Sequence, residues 1–152
     1  MPKSIREFNG KKPNINRTAY VDESAVVIGD VILAEDSSVW PCVSVRGDLL
    51  PIIIGKNTNI QDCSTLHTTE HPKGSGKGFA LTIGDNVTIG HGVILHGCDI
   101  KDNTMIGMGS IVLDGVIVEP WAFVGAGSLV PPGKVLESGF MYMGSCEKDS
   151  TY

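Results

Sequence analysis

Aliphatic residues recur every six positions along most of this chain. Polar residues, glycines and small residues lie between them, and the 3.6-residue period of an amphipathic helix is absent. The recurring positions form four series, separated by gaps of nine, 17 and five residues: Ile15, Val21, Val27, Leu33, Val39 and Val45; Ile54, Ile60 and Leu66; Ile83, Ile89 and Leu95; Ile100, Ile106, Val112, Val118, Val124 and Val130. These 18 units are an internal repeat, which is the signal of a stacked, repetitive fold.

A second position in each unit supports the repeat. In most units a small or β-branched residue follows the aliphatic residue after four positions, as at Ala25, Ser64 and Ser110. The exceptions are Leu49, Glu70 and Asp99, which precede the three irregular gaps, and Lys134, which ends the series. A period of six fits short strands joined by tight corners, with successive coils about 4.8 Å apart.

Hexads of this kind resemble those of hexapeptide-repeat proteins, in which three hexads form one coil of a left-handed parallel β-helix. The handedness comes from the resemblance alone, because the general crossover rule favours a right-handed path. We therefore predict an all-β chain of about six coils. Residues 1–14 are expected to form an N-terminal lead-in, 15–135 the β-helix domain and 136–152 a C-terminal segment.

Three hexads per coil bring two histidines together. The residue after each core aliphatic points outward, because side chains alternate along a strand, so Arg46, His67 and His96 should stack on consecutive coils of one face. Two imidazoles about 4.8 Å apart can converge on one metal about 2.0–2.1 Å from each nitrogen. His91 falls on the neighbouring face and is expected to reach the metal of an adjacent subunit in a cyclic trimer.

Composition narrows the class of protein. The 152 residues suffice for one domain, and 41% hydrophobic with 19% charged residues is typical of a globular chain. A net charge of −5 argues against a nucleic-acid partner. The sequence has neither an 18-residue apolar run nor a hydrophobic signal core, so we expect a cytoplasmic protein without a membrane partner.

The four cysteines form no Cys-x-x-Cys pair, so a cysteine zinc site is not expected. Cys42 and Cys63 hold the same hexad position in adjacent coils, which makes a disulfide geometrically conceivable. A reducing compartment argues against that bond, and the sequence leaves the question open.

Several motifs on this repeat background carry a more specific resemblance. Arg46-Gly47-Asp48, Asn59-Ile60-Gln61-Asp62, His67 and His91-x4-His96 together resemble the signature of the γ-class carbonic anhydrases and their bacterial homologues. The similarity extends from Val21 to about Ser145. It implies a homotrimer with a metal at each subunit interface, bound by His67 and His96 of one chain and His91 of its neighbour. The metal would be Zn²⁺, or Fe²⁺ or Co²⁺, which tris-histidine sites also accept.

The resemblance also implies roles for five further residues. They are Arg46 and Asp48, which would tie subunits together; Asn59 and Gln61, which would orient the metal-bound water or bicarbonate; and Glu70, which would relay protons. Apart from the resemblance, Tyr142 in the C-terminal segment is a candidate to line the pocket if it does not merely pack. His71, next to Glu70, is a second candidate for proton transfer. The implied reaction is reversible hydration of CO2 to bicarbonate by a metal-bound hydroxide.

Two departures from the family pattern leave alternatives open. Leu49 stands where the archaeal type member has an acidic residue near the Arg-x-Asp motif, so activity is expected to be low. The family continues into a C-terminal helix, whereas this chain reads Gly144-Ser145-Cys146 and stops at Tyr152, so that helix is expected to be absent or truncated. The first alternative is a hexapeptide-repeat acyltransferase or thioesterase acting on coenzyme A thioesters. The second is a non-catalytic metal-binding trimer or assembly subunit.

Overall fold

The computed structural model of this chain describes residues 4–70 and 76–145, and in these ranges it contains β-strands and no helix. The strands are short, because most hexads place two residues in a strand and the rest in a corner. They are β1 (Ile5–Arg6), β2 (Asn14–Ile15), β3 (Tyr20–Val21), β4 (Val26–Leu33), β5 (Ser38–Val39), β6 (Ser44–Ile54), β7 (Asn59–Ile60), β8 (Thr65–His67), β9 (Leu81–Ile83), β10 (Thr88–Ile89), β11 (Ile94–His96), β12 (Asp99–Ile100), β13 (Met105–Ile106), β14 (Ile111–Val112), β15 (Ile117–Val118), β16 (Phe123–Val124), β17 (Leu129–Val130), β18 (Val135–Leu136) and β19 (Met141–Tyr142).

The strands stack in parallel into a three-sided β-solenoid of about seven turns. Face C is the seven-stranded sheet, in the order β3-β5-β7-β10-β13-β16-β19. Faces A and B share the twelve-stranded sheet, because β4 and β6 each run along face B and continue along face A. Face A also carries β2, β9, β12, β15 and β18, and face B carries β1, β8, β11, β14 and β17.

The core consists of the predicted aliphatic residues, stacked coil upon coil. Leu66, for example, lies in register between Val45 and Leu95 on face B. Of the 18 residues in the series, only Ile15 and Val21 are more than 1% exposed. The predicted register of three hexads per coil is therefore confirmed.

Small residues fill the corners of the solenoid as the sequence predicts. Thr58, Ser64 and Ser110 are fully buried, and each hydroxyl donates a hydrogen bond to a backbone carbonyl. A buried hydroxyl without such a partner would be destabilising. These side chains therefore fill the corners, and their hydroxyl groups are hydrogen-bonded.

The solenoid has one turn more than the hexad count predicts. Leu136 continues the series on face A and Tyr142 continues it on face C, while β1 pairs with β4 at the other end. Lys134, which ends the sequence pattern, lies in the top coil above Val116. The described residues place no further coil above Lys134, so its long side chain needs no room in the interior.

The irregular gaps all fall on the edge between faces B and A. The first is absorbed by the long strand β6, and the third is the tight corner at Gly97 and Cys98. The second is the loop 68–80, whose described ends are joined by an antiparallel bridge between Thr69 and Phe79. Among the described residues, no helix has the length and apolar character that a membrane span requires.

Candidate metal centre

His67 and His96 face each other on adjacent strands of face B. Their Cα atoms are paired in register between β8 and β11, as the sequence predicts. The ring centroids lie 5.1 Å apart with the planes inclined at 58°, and Nδ1 of His67 is 3.1 Å from Nε2 of His96. The side chains of His67 and His96 are 14% and 34% exposed, so both rings are partly accessible from the surface of the solenoid.

Each of these histidines has its other ring nitrogen hydrogen-bonded to a carboxylate. Nε2 of His67 lies 2.9 Å from Oδ1 of Asp48, and Nδ1 of His96 lies 2.8 Å from Oδ1 of Asp114. A carboxylate accepts hydrogen bonds only, so the facing nitrogen of each neutral ring carries a lone pair.

Asp48 is held in its charged form by two donors. Burial of the carboxyl group opposes ionisation, but the hydrogen bonds from His67 and Arg46 outweigh it and lower the pKa of Asp48 below its usual value. Nη1 of Arg46 donates to Oδ2 of Asp48 at 2.6 Å. Arg46 and Asp48 are therefore paired within one strand, β6, and Asp48 joins that pair to His67.

The donor arrangement fits a divalent metal. Two imidazole nitrogens on one tetrahedral zinc, each 2.0–2.1 Å from the ion, are about 3.3 Å apart, close to the 3.1 Å between Nδ1 of His67 and Nε2 of His96. Two lone pairs at that distance repel unless a proton or a cation lies between them. Carboxylates on the remote nitrogens are the usual partners of metal-binding histidines.

His91 lies in the corner between faces C and B, away from this pair. Its side chain is 55% exposed, and its Nδ1 is 3.1 Å from Oδ2 of Asp62 in the coil below. In that lower coil, Gln61 donates to Asn59 at 3.3 Å, and Asn59 donates to Thr88 at 3.1 Å. His91 and Asp62 thus form one hydrogen-bonded pair, and Gln61 and Asn59 form another next to it in the chain.

The polar residues of the candidate site therefore divide into two groups. We call Arg46, Asp48, His67, His96, Asp114 and Thr69 the ladder half-site, and Asn59, Gln61, Asp62 and His91 the corner half-site. Within the described residues of a single chain, no three His, Cys, Asp or Glu side chains come close enough to hold a metal.

The other predicted site residues lie apart from both half-sites or outside the described ranges. Glu70 is exposed at the start of the loop, and Leu49 is 44% exposed on β6. Tyr142 lies on face C three coils above Ile89, and its hydroxyl accepts a hydrogen bond from the backbone N–H of Glu137 at 2.7 Å. His71 lies outside the described residues.

The three cysteines in the described ranges contribute no ligand to either half-site. Cys42, Cys63 and Cys98 are free thiols, the first two exposed and the third buried. Burial raises the pKa of the Cys98 thiol, which keeps it protonated.

Sequence reasoning missed two members of the ladder half-site, Asp114 and Thr69. The hydroxyl of Thr69 lies 2.9 and 3.0 Å from the two carboxylate oxygens of Asp114 and 3.0 Å from Nδ1 of His96. Leu113 occupies the position of His96 one coil above it, so Asp114 follows directly in the next corner. That register could have identified Asp114, whereas the position of Thr69 depends on the path of the loop.

A recess of about 290 Å³ adjoins the ladder half-site on the face A side. The loop residue Phe79 forms one wall, and Cys98, Asp99, Val116 and Ile117 contribute to the others. Its lining is mainly apolar. The polar side chains of the ladder half-site are therefore bordered on one side by a small apolar hollow.

The chain is similar to proteins with several different names. The pattern described as "Bacterial transferase hexapeptide (six repeats)" matches residues 97–132. Protein YrdA of Escherichia coli is 50% identical over 141 residues, which cover 93% of this chain and 77% of that protein. Gamma carbonic anhydrase 2, mitochondrial, of Arabidopsis thaliana is 43% identical over 138 residues, which cover 91% of this chain and 49% of that protein.

A solved structure of similar sequence also covers most of this chain. A hexapeptide transferase family protein from Anaplasma phagocytophilum matches with a TM-score of 0.88 at 36% identity, covering 97% of this chain and 83% of that chain. The solenoid described above is thus the left-handed parallel β-helix of hexapeptide-repeat proteins.

Proposed function

Because the chain belongs to the γ-carbonic-anhydrase-like family of hexapeptide-repeat proteins, we propose that it binds a divalent metal between subunits and hydrates CO2 reversibly there. The observation that carries the proposal is the pair of ring nitrogens of His67 and His96, 3.1 Å apart, with both remote nitrogens held by carboxylates. Metal-binding histidines use this arrangement, and ordinary surface histidines have no need of it.

The third ligand comes from a second copy of the chain. The ladder half-site offers two imidazoles, and the described residues of the same chain bring no third ligand to them. The imidazole of His91 is exposed and oriented by Asp62 on a different corner of the solenoid. A cyclic trimer in which the ladder half-site of one chain meets the corner half-site of the next would complete three tris-histidine sites.

The chain's own residues then have separate tasks. A tris-histidine zinc ion supplies a water whose pKa is near 7, the nucleophile that CO2 requires, and Fe²⁺ or Co²⁺ fits the same donors. Asp48 orients the imidazole of His67, while Arg46 holds Asp48 from the outer side. The amides of Gln61 and Asn59 arrive with His91 from the neighbouring chain and hydrogen-bond bicarbonate.

Metal content and CO2 hydration, measured on the same anaerobically purified sample, test the reaction. We expect metal-replete protein to hydrate CO2 in stopped-flow assays, and we expect His67→Ala and His91→Ala to lose both metal and activity. Metal-replete protein that shows no hydration at any buffer concentration contradicts the enzymatic role and favours the non-catalytic metal-binding trimer.

Mixed trimers test the shared site. A His67→Ala chain retains a functional corner half-site, and a His91→Ala chain retains a functional ladder half-site. Each mixed trimer should therefore recover one intact site of three, although neither variant binds metal alone. Verified mixed trimers without metal, or full metal retention in a monomer, would exclude the arrangement.

The apolar recess beside Phe79 favours a second candidate function, acyl transfer or hydrolysis with coenzyme A thioesters. Relatives include proteins named as transferases, and a hollow of about 290 Å³ is large enough for a short acyl group. Acetyl-coenzyme A turnover by metal-free protein, abolished in Phe79→Asp but not in His91→Ala, would favour this reading over CO2 hydration.

A further inference from the structure

Three separate elements converge on the outer nitrogen of His96. His96 ends β11, Asp114 lies in the corner after β14 in the coil above, and Thr69 lies in the loop that follows β8 in the coil below. Oδ1 of Asp114 lies 2.8 Å from Nδ1 of His96, and the Thr69 hydroxyl reaches both carboxylate oxygens of Asp114, at 2.9 and 3.0 Å. The hydroxyl donates to the carboxylate and fixes its rotation about the Cβ–Cγ bond.

The backbone makes room for this carboxylate at Gly97. A Cβ atom on Gly97 would collide with Oδ1 of Asp114 and with Cβ of Phe79. Gly97 also has a φ of +53°, a conformation that side chains disfavour. The carboxylate of Asp114 thus lies directly over a bare Cα, in a space that any other residue at position 97 would fill.

The backbone of Asp114 is fixed from both sides. The N–H of Gly115 donates to the carbonyl of Gly97 at 2.7 Å, and the N–H of Gly133 donates to the carbonyl of Asp114 at 2.9 Å. These bonds link the coil of Asp114 to the coils below and above it, so the carboxylate is presented from a rigid corner rather than from the loop.

We propose that Asp114 is a positioning residue that selects the tautomer and orientation of His96, with Thr69 holding its carboxylate and Gly97 leaving room for it. By accepting a hydrogen bond from Nδ1–H, Asp114 leaves the lone pair on Nε2, the nitrogen that faces His67. The inference rests on the proposed function in one respect, namely that a metal is what Nε2 binds. The selection of the tautomer is a property of the metal-free chain.

Asp114 has a different environment from Asp48, its counterpart at His67. Asp48 shares its charge with Arg46, whereas Asp114 is held by the neutral hydroxyl of Thr69. The more weakly neutralised carboxylate should bind the N–H of its histidine more firmly. His96 is therefore expected to be the more strongly oriented of the two ladder histidines, although it is the more exposed.

The first test reads the tautomer without metal. In metal-free protein labelled with ¹⁵N-histidine, long-range ¹H–¹⁵N correlations should show His96 protonated on Nδ1. Asp114→Ala should convert His96 to the mixed tautomers of a free imidazole, and Thr69→Val should do so partly. Thr69→Ser, which keeps the hydroxyl, should resemble the parent, and so should Asp102→Asn, which alters a corner carboxylate that contacts the Asp85 backbone.

The second test measures metal affinity by competition with a chromophoric zinc chelator. Loss of an outer carboxylate commonly weakens metal binding 10–100-fold, and we expect that range for Asp114→Ala. Asp114→Asn should lose less, because its amide oxygen still accepts the Nδ1–H. Gly97→Ala should resemble Asp114→Ala. Gly127→Ala is the matched control, because Gly127 has a φ of +68° and open space where the Cβ would go.

The two readouts separate this inference from the proposed function. If the parent binds no zinc, the proposed metal site fails, and the tautomer of His96 still decides the role of Asp114. Circular dichroism identifies any variant that does not fold, and Thr69→Val and Asp114→Asn then carry the comparison. A folded Asp114→Ala protein with His96 still on Nδ1–H and with parental zinc affinity would overturn the inference.

Discussion

At the scale of single residues, the ladder histidines differ from surface histidines in having both ring nitrogens engaged. One nitrogen of each contacts a carboxylate and the other faces its neighbour. The hexad register alone predicts the facing pair, because it places His67 opposite His96 on the next coil. The same register places Asp114 in the corner above His96. It does not predict Thr69 as a partner, because the position of Thr69 depends on the path of the loop after β8.

Proton transfer to the solvent is the step of the proposed reaction for which the site supplies the fewest suitable side chains. Glu70 is exposed at the start of the loop, and Leu49 supplies no acid. General acid–base groups typically contribute roughly 10²–10⁴-fold to rate. In the proposed reaction, Glu70→Ala should therefore slow CO2 hydration at low buffer concentration, and small imidazole buffers should restore its rate more than that of the parent.

Glu35→Ala is the matched control for this prediction, because Glu35 is also an exposed glutamate and forms an ion pair with Lys56 on a distant corner. Stopped-flow rates measured against buffer concentration distinguish the variants. Equal buffer responses of Glu70→Ala and Glu35→Ala would remove Glu70 from the proton path.

At the scale of elements, the strands and core follow from the sequence, whereas the corners follow only in part. A two-residue strand between corners has one inward position, so an aliphatic residue every six positions defines the core from Val27 to Val130. The pattern does not predict the two strands beyond Lys134, because a terminal coil tolerates a long side chain that an inner corner would exclude. The loop 68–80 has no repeat, and a periodic pattern contains no information about its path.

Glycines in the corners serve two different physical purposes, which a matched pair of substitutions separates. Gly109 has a φ of +68° and open space around its missing Cβ, whereas a Cβ on Gly107 would meet the backbone of Ala126 in the next coil. Gly109→Ala should lower the free energy of unfolding by about 1–2 kcal/mol, the strain of a left-handed residue. Gly107→Ala should lower it further, since two coils must separate.

Urea denaturation of the two variants and the parent gives these free energies. Both positions lie in the same coil, so differences between coils do not enter. A larger loss for Gly109→Ala than for Gly107→Ala would show that backbone strain, rather than the contact between coils, limits these corners.

At the scale of the whole molecule, the two half-sites lie on different parts of the solenoid surface. The ladder half-site is on face B, and the corner half-site is where faces C and B meet. Arg46 is 47% exposed in the single chain although its partner Asp48 is only 16% exposed. An arginine in this position is available to a second chain.

Arg46→Ala should therefore weaken assembly as well as catalysis. A charge pair covered by another chain costs roughly 3–5 kcal/mol when one partner is removed, whereas an exposed pair is worth about 0–1 kcal/mol. Sedimentation at low protein concentration measures the change. Lys56→Ala is the control, because Lys56 forms an exposed ion pair with Glu35 away from both half-sites. Equal dissociation of the two variants would make Arg46 peripheral to the interface.

The separation of ladder and corner half-sites gives the proposed assembly a direction, and direction determines stoichiometry. An open row of chains always has one complete site fewer than it has chains, because its first and last members each keep an unmatched half. A closed circle has as many complete sites as chains. The contact that closes the circle therefore gains a metal ion in addition to a protein surface, and metal binding favours closure by mass action. The ratio of metal to chain in the purified protein consequently measures how much of it exists as closed circles.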